Sequence, residues 1–420
     1  MKTRFPAVCT ALAAAAALTG CSSPGGAAPR PQKVTLWLMK GSASEDFTTR
    51  FTASFEQDHP GVDLDVRIQE WTGIGDKVNG VLSGRSTERA DVIEVGNTQV
   101  AQYIENGGLS ELTLEGLRKW GNQDWLEGLA DPGSINGAQY GVPWYAANRV
   151  VIYHKDLFAN ANVKSPPRNR QEWIQATQKL DKGDQQGIYL PGQNWYVLSG
   201  FIWDEGGDLA TDGNGKWSGT LDDDRALAGM EFYKQLQALG DGPKDADEET
   251  PPQAEVFARG KVAQIIAPPG QAAAIEAANP ALKGKLGFFP VPGKTSDKPG
   301  AVFTGGSVLI VPARTGQRDH AIDVITDLVS ERWQTELARA MSYVPNKTTL
   351  AHVVEGDQGA ATMAVGAAQG RATPKSARWA EVEADNPIKP YMTAVLTGQD
   401  PEKAARAASE AISRVLNSAR

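Results

Sequence analysis

Several tryptophans stand next to polar residues in segments that we expect to be loops. Trp71 follows a glutamate, Trp144 precedes Tyr145, and Trp195 follows an asparagine. A pyranose ring has an apolar face that stacks on an indole and a rim of hydroxyls that bonds to acids and amides. Sites of this kind place a few polar groups on an aromatic floor, so these residues are candidates for binding a carbohydrate. Five further tryptophans are instead expected in the core: Trp37, Trp120, Trp125, Trp173 and Trp333.

Glycoside hydrolysis is a second chemistry to consider, because it needs only two carboxylates flanking the scissile bond. Asp204 and Glu205, directly after Trp203, form the pair that would carry it. Such neighbours arise easily among 50 acidic residues, most of which are solvated or lie at helix N-termini. The sequence therefore favours a binding protein over an enzyme.

Metal and nucleophilic chemistry have no support in the sequence. Gly306-Ser307 lacks the pattern of a nucleophile elbow, and Gly73-Ile-Gly75 lacks the third glycine of a dinucleotide loop. We expect neither a metal ion nor a cofactor. Four histidines occur without the spacing of a metal site: His59, His154, His320 and His352.

The first 21 residues read as a lipoprotein signal peptide. Lys2 and Arg4 precede an apolar stretch over 7–18 that is too short to span a bilayer. The tetrapeptide LTGC over 18–21 resembles the bacterial lipobox, in which the cysteine is lipidated after cleavage. The sequence thus predicts a signal peptide over 1–20, a lipidated Cys21, and a Gly- and Pro-rich tether over 21–32 that holds the protein on the extracellular face of the cell membrane. An ordinary secretory signal with an accidental cysteine is the alternative.

The charge of the chain excludes some partners. Cleavage after residue 20 removes two basic residues and no acidic one, so the formal net charge goes from −8 to −10. An acidic body argues against nucleic acid and against broad adsorption to anionic lipid, which leaves the acyl anchor as the membrane contact. Cys9 and Cys21 are the 2 cysteines, so the mature chain has no disulfide.

Alternating strands and helices must position the candidate residues. Strands are predicted over 34–38, 62–68 and 91–95, and helices over 44–55, 75–82 and 99–105, with Ser44 as the cap of the first helix. This alternation indicates a mostly parallel sheet. The ligand crevice of such a sheet lies beyond the carboxyl ends of its strands, where Trp71, Asn97 and Gln99 follow.

A second α/β body follows from residue 146 onward. A strand is predicted over 150–153, helices over 171–180, 195–203, 222–239, 320–340 and 401–416, and a buried strand over 306–312. The segment DGNG over 212–215 is typical of a hairpin turn. We expect two domains, because about 390 mature residues exceed the usual size of one core.

In their order along the chain, several motifs resemble the family 1 extracellular solute-binding proteins, the maltodextrin-binding type that serves ABC importers. The similarity runs from about residue 34 to the C-terminus. The motifs are FEQDHPGV (55–62), ADVIEV (90–95), GVP (141–143) with IYHKDLF (152–158), WDEGGD (203–208), GGS (305–307) and VPN (344–346).

This resemblance implies an α/β, two-lobed periplasmic-binding-protein fold with hinge segments crossing between the lobes and the ligand in the cleft. The lobes would be 33–145 with 303–344, and 146–302 with 345–420. It also implies ligand contacts at Asn97, Gln99, Trp144 and Tyr145, and adds these second-lobe and crossing residues: Trp203, Glu205, Gly306 and Ser307.

The segment over 94–99 (EVGNTQ) is similar to that of actinobacterial lipoproteins that bind N-acetylglucosamine oligomers, especially chitobiose. Many relatives carry an uncharged amide where this chain has Asp204-Glu205, so cellobiose, trehalose and maltodextrins stay open. The expected function is capture of an oligosaccharide by a monomer that delivers it to a membrane permease. A surface glycosidase, a cell-wall adhesin and an amino-acid or peptide receptor are the other classes.

Overall fold

The structure is a computed structural model, and it describes residues 31–418 of the 420-residue chain. Within this range no helix has the length and apolar character that crossing a membrane requires. The predicted signal peptide and Cys21 lie outside the described residues, as does most of the predicted tether.

The strands and helices follow one another along the whole described range. The strands are β1 (Gln32–Met39), β2 (Val62–Gln69), β3 (Val92–Gly96), β4 (Ser134–Ile135), β5 (Ala138–Gln139), β6 (Gly141–Ala147), β7 (Val150–His154), β8 (Ala210–Gly213), β9 (Lys216–Gly219), β10 (Gln264–Ala267), β11 (Leu286–Phe289), β12 (Val302–Phe303), β13 (Gly305–Ile310), β14 (Val344–Pro345) and β15 (Gly370–Arg371). The helices are α1 (Glu45–Asp58), α2 (Ile74–Leu82), α3 (Val100–Glu105), α4 (Thr113–Glu115), α5 (Glu127–Ala130), α6 (Lys155–Asn160), α7 (Arg170–Leu180), α8 (Trp195–Asp204), α9 (Asp224–Gln237), α10 (Gln253–Ala258), α11 (Gln271–Ala278), α12 (Arg318–Leu328), α13 (Glu331–Met341), α14 (Gln358–Ala367), α15 (Trp379–Asp385), α16 (Ile388–Leu396) and α17 (Pro401–Leu416).

The first sheet has six strands in the order β14-β6-β13-β3-β1-β2. β1 pairs in parallel with β2 and β3, whereas β13 runs antiparallel to β3 and β6, and β14 antiparallel to β6. The parallel pairing predicted from β1, β2 and β3 is confirmed, but the prediction of a mostly parallel sheet is wrong, since three of its five strand pairs are antiparallel. The reason is that β13 and β14 come from a distant part of the chain and enter this sheet in the opposite direction.

Aromatic residues anchor helix α1 to this sheet. Ser44 accepts a hydrogen bond from the backbone N–H of Phe47 at 3.2 Å, which confirms it as the N-cap. Phe47 and Phe51 are buried on one face of the helix and meet the ring of Trp333 edge-on, with centroids 5.4 and 5.0 Å apart. The five tryptophans expected in the core are all buried: Trp37, Trp120, Trp125, Trp173 and Trp333.

The second sheet is antiparallel, in the order β10-β7-β11. Helices α8 and α9 pack on one another, and a continuous apolar core joins them to this sheet and to α15, α16 and α17. The predicted hairpin is confirmed as β8 and β9, with Asn214 and Gly215 at φ of 59° and 84° in the turn. The predicted single helix over 320–340 is wrong, because Ser330 breaks it and caps α13.

Three connections lead from the first sheet, one to the second sheet and two to the separate two-stranded sheet of β12 and β15. Residues 148–149 link β6 to β7, Thr304 links β12 to β13, and the chain after β14 leads through α14 to β15. β12 and β15 pair in parallel, and the Thr304 N–H donates to the Arg371 carbonyl at 2.9 Å. A Cβ at Gly128 or Gly370 would overlap the Thr304 hydroxyl, so both positions need glycine for this close packing. The boundaries predicted after residues 145 and 344 fall inside β6 and β14.

Candidate functional site

Trp71 follows β2 at the carboxyl end of the parallel strands, as predicted. Its side chain is 44% exposed. The indole lies beside Gly96, where an added Cβ would stand 3.9 Å from a ring carbon. An exposed indole at this edge of the sheet is available for stacking on a ligand.

The three side chains of the turn after β3, Asn97–Gln99, have different hydrogen-bond partners. Asn97 is buried, and its Nδ2 donates to the Thr304 carbonyl at 2.7 Å, so that this donor stabilises the crossing connection. Gln99 accepts a hydrogen bond from the Tyr103 hydroxyl at 3.1 Å. Thr98, which the sequence analysis did not select, donates to Glu383 of α15 at 3.1 Å. Thr98 is thus the residue of this turn that connects the first sheet with the C-terminal helices.

Glu383 stands at the edge of a cavity of about 260 Å³, which we name the Trp195 cavity. The predicted site residue Trp195 opens α8 there, after Asn194 caps the helix by accepting from the Val197 N–H. The rings of Trp195 and Tyr196 lie 4.2 Å apart. The residues lining the cavity are Trp195, Tyr196, Asp247, Glu248, Glu249, Glu383, Asn386 and Lys389.

The cations near the Trp195 cavity already have partners. Lys389 pairs with Asp247 at 2.8 Å, and Arg149, whose guanidinium lies 4.4 Å from the centroid of the Tyr196 ring, pairs with Glu248. These ion pairs leave Glu383 as a carboxyl group held by neutral donors.

Two neutral donors reach Glu383: the Thr98 hydroxyl and, at 3.0 Å, the Trp379 indole N–H. Burial raises the pKa of Glu383 to about 7, against the opposing effect of these two hydrogen bonds. Burial, followed by the charge of Glu383, also raises the pKa of Tyr196 to about 12. A carboxyl group with a perturbed pKa beside an aromatic pair in a cleft is typical of a functional site.

Tyr145 and Ser307 belong to a hydrogen-bonded network around Glu94. The Glu94 carboxylate accepts from the Ser307 hydroxyl at 2.6 Å, the Tyr145 hydroxyl at 3.2 Å and the Met39 N–H at 2.7 Å. The Tyr145 ring also stacks on Tyr343 with centroids 4.1 Å apart. Burial raises the pKa of Glu94. These groups satisfy one another, so the network positions the strands of the first sheet.

Gly306 has a structural reason for lacking a side chain. It adopts φ of 137° at the irregularity of β13, and a Cβ there would overlap the Tyr145 carbonyl oxygen. Trp144 is fully buried in the core beneath the first sheet. Trp144 therefore belongs to the core rather than to the candidate site.

Trp203 and Glu205 lie apart from the Trp195 cavity. The guanidinium of Arg371 stands 5.6 Å from the centroid of the buried Trp203 ring. Glu205 pairs with Arg170 at 2.6 Å and with Lys294 at 2.7 Å, and Asp204 pairs with the same Arg170 at 3.0 Å. Arg170 and Lys294 together balance the charges of the two carboxylates. We name Asp204 and Glu205, with Arg170 and Lys294, the paired acids.

Of the eight residues that line the cavity, sequence analysis selected only Trp195; Tyr196, Glu383 and Asn386 are among those that it missed. The signal available for Glu383 was its spacing of four from Trp379, which places both on one face of a short helix. Thr98 carries no signal of this kind, because its partner is 285 positions away. Within residues 31–418, no group of three or more His, Cys, Asp or Glu is suited to hold a metal ion.

Comparison with known proteins decides the family. Residues 39–335 match the profile of a family described as "Bacterial extracellular solute-binding protein". The chain is also 39% identical, over 377 residues, to the diacetylchitobiose binding protein DasA of Streptomyces coelicolor, covering 89% of this chain and 88% of the relative. The chain belongs to the bacterial extracellular solute-binding protein family.

Two further comparisons concern a more distant relative and the fold. This solute-binding protein is 24% identical, over 80% of its length and 77% of the relative, to the maltooligosaccharide ABC transporter solute-binding lipoprotein of Streptococcus pneumoniae. Its fold matches the sugar-binding protein MalE of Xanthomonas citri with a TM-score of 0.83 at 21% identity, over 92% of this chain and 97% of the other. The solute-binding protein therefore has the expected two-lobed α/β fold.

Proposed function

We propose that this solute-binding protein captures an N-acetylglucosamine oligosaccharide, with diacetylchitobiose as the best candidate, and delivers it to the permease of an ABC importer. The 39% identity to the diacetylchitobiose binding protein supports this choice of ligand. Release occurs without chemistry, since both carboxylates of the hydrolase alternative are engaged by Arg170.

The hydrogen bond between Thr98 and Glu383 carries the proposal. It joins the turn after β3, next to Trp71, to the edge of the Trp195 cavity. A ligand held between the turn after β3 and the Trp195 cavity contacts both lobes only in the closed form. Its binding energy then shifts the equilibrium between open and closed forms, and the permease recognises the closed form.

We assign the moving lobes as 33–145 with 303–344, and 146–302 with 345–420, with the three connections acting as the hinge. Trp71, Gln99 and Trp195 remain the proposed ligand contacts from the sequence, and Tyr196, Glu383 and Asn386 join them. The Glu94 network and the paired acids stabilise the individual lobes.

The proposal includes a lipid anchor at Cys21 on the extracellular face of the membrane. The lipobox motif supports this anchor, and one relative at 24% identity is a solute-binding lipoprotein. One receptor docks on one permease, so we propose a monomer.

The test is a titration of the purified protein with diacetylchitobiose, cellobiose, trehalose and maltotriose, followed by tryptophan fluorescence. We expect saturable binding of diacetylchitobiose and no new reducing ends in the mixture. Binding of maltotriose or cellobiose in its place would select a receptor for another oligosaccharide. New reducing ends would contradict the proposed function. If none of the four sugars changes the fluorescence, an amino acid or a peptide becomes the favoured ligand.

A further inference from the structure

Glu383, at the edge of the Trp195 cavity, is a carboxyl group without a cation partner among residues 31–418. Its two oxygens accept from the Thr98 hydroxyl and from the Trp379 indole N–H, and both of these donors are neutral. An ionised carboxylate has about four acceptor positions on its two oxygens, so each oxygen can accept a further donor. Since a buried charge is costly until an opposite charge compensates it, Glu383 favours a ligand that is positively charged.

The other charged groups around the cavity do not compensate Glu383. Four of them balance one another in two ion pairs. Glu249 is acidic and exposed, and Tyr196 stays neutral because burial raises its pKa to about 12. The lining therefore carries more negative than positive charge at neutral pH. The two ion pairs are Lys389 with Asp247 and Arg149 with Glu248.

Asn386 adds an unmet acceptor to the same cavity. Its side chain is 8% exposed, and its Oδ1 has no hydrogen-bond partner in the described part of the chain. Asn386 follows Glu383 by three positions at the end of α15, and both residues line the cavity, so the two groups are neighbours. Any donor, a hydroxyl included, satisfies the Asn386 oxygen, whereas only a cation also compensates the charge of Glu383.

An ammonium group on a sugar meets both needs. It carries a positive charge and three donors, so one ammonium can donate to the carboxylate and to the amide oxygen together. Hydrogen bonds between charged groups are roughly twice as strong as neutral ones, which favours this sugar over one with a hydroxyl at the same carbon. The sugars that contain such a group are the amino sugars, and glucosamine is the deacetylated form of N-acetylglucosamine.

We propose that the Trp195 cavity also binds amino sugars with a free ammonium group, and that Glu383 selects this group over a hydroxyl. The inference rests on the proposed function and adds a second class of ligand, the deacetylated glucosamine oligosaccharides, to the same site. It assigns the recognition of ligand charge to the second lobe.

The experiment compares two disaccharides that differ only in the group at C2: the β-1,4-linked glucosamine disaccharide, which has ammonium groups, and cellobiose, which has hydroxyls. Calorimetric titrations at pH 6.5, at which an amine keeps its proton, measure Kd for each sugar. The unchanged protein should bind the glucosamine disaccharide about tenfold more tightly than cellobiose. Equal affinities, or tighter binding of cellobiose, would overturn the inference.

Glu383→Gln is the variant that identifies the selecting residue. It keeps an acceptor oxygen and removes the charge, so the ratio of the two Kd values should fall from about ten to about one. Glu381→Gln is the matched control and should keep the ratio, because Glu381 lies on the same helix, pairs with Arg378 and does not line the cavity. Loss of the ratio in Glu249→Gln and not in Glu383→Gln would contradict the assignment to Glu383.

Proton release provides a second measurement that needs no variant. Burial raises the pKa of Glu383 to about 7, so this group is largely protonated at pH 6.5, and an ammonium beside it should displace the proton. Titrations in two buffers of different ionisation enthalpy should show more protons released by the glucosamine disaccharide than by cellobiose, and equal release would count against the inference. The failure of the proposed function looks different, because the unchanged protein would then bind neither these sugars nor diacetylchitobiose.

Discussion

Acidic side chains stand beside a tryptophan at two places in this molecule, and the two places differ in how the charges are satisfied. In the paired acids, Asp204 and Glu205 follow Trp203 and share the buried guanidinium of Arg170. In the Trp195 cavity, Glu383 receives hydrogen bonds from neutral donors, and burial raises its pKa to about 7. The sequence analysis selected Trp203 and its acids at the first place, but at the second place it selected Trp195 and not Glu383.

The difference shows how a structural acid and a functional acid are distinguished. The charge of a buried carboxylate that has a cation partner is already compensated, and removing that cation is costly. A carboxyl group held only by neutral donors, as Glu383 is, lacks this compensation, and its perturbed pKa is typical of a functional site. The predictions below test this contrast, from the largest expected effect to the smallest.

Arg170→Met should destabilise the protein most. The change removes the buried cation that Asp204 and Glu205 share and leaves only the half-exposed Lys294 on Glu205, and breaking a buried pair in this way costs about 3–5 kcal/mol. Urea unfolding measures the loss. Arg168→Met is the control, because exposed Arg168 precedes α7 and pairs with Glu172 in the first turn of that helix. A loss below about 1 kcal/mol for Arg170→Met would contradict a structural role of the paired acids.

Glu383→Gln should remove a step in the pH dependence of stability. A pKa raised from 4.5 to about 7 means that the native state binds the proton more tightly than the unfolded chain. The protein is then more stable below pH 4.5 and loses up to about 3 kcal/mol of unfolding free energy as the pH rises through 7.

Unfolding curves from pH 4 to 8.5 test this step. The difference in unfolding free energy between Glu383→Gln and the unchanged protein should grow with pH, in favour of the variant. Glu381→Gln, two positions earlier on the exposed side of α15, serves as the control and should follow the unchanged protein. Parallel curves for Glu383→Gln would show that Glu383 titrates normally.

Trp71→Ala extends the contrast to the first lobe. Because the indole is 44% exposed, its loss should change the unfolding free energy by less than about 0.5 kcal/mol. Its stacking on a sugar face should make diacetylchitobiose bind about tenfold more weakly. Leu117→Ala truncates another exposed apolar side chain and should leave Kd unchanged. An unaltered Kd for Trp71→Ala would remove Trp71 from the site.

Thr98→Val should have the smallest effect. It keeps the shape of the side chain and removes the hydroxyl that donates to Glu383, which costs about 0.5–1.5 kcal/mol. Without this donor the pKa of Glu383 should rise further, which moves the stability step to higher pH. If the step stays in place, Thr98 and Glu383 do not interact in solution.

Local patterns in the sequence predicted many elements but not which tryptophan stays accessible. The helix over 401–416 was predicted with its observed bounds because a proline start, an aspartate cap and an apolar stripe occur together. Trp71, Trp144 and Trp195 looked alike, since each stands next to polar residues. Trp144 is buried because β13 and β14 flank its strand β6, and no local pattern shows that pairing.

The first-lobe part of the candidate site was predicted better than the Trp195 cavity, where the sequence selected only Trp195, and the physical reason is the same. Loops after β2 and β3 follow from strand periodicity, so Trp71 and the turn at residue 97 could be placed. Glu383 gains its raised pKa from burial beside Thr98 and Trp379, and burial arises from tertiary packing. The break at Ser330 was missed because the apolar pattern continues through it from α12 to α13.

The position of β13 in the first sheet has a consequence for how the chain matures. β13 lies between β3 and β6, so the centre of this sheet stays vacant until residues 305–310 have been synthesised. A ribosome makes the chain from its N-terminus, and the first 300 residues therefore cannot complete their own sheet. The pairing of this sheet is therefore completed only after about three quarters of the chain has been made.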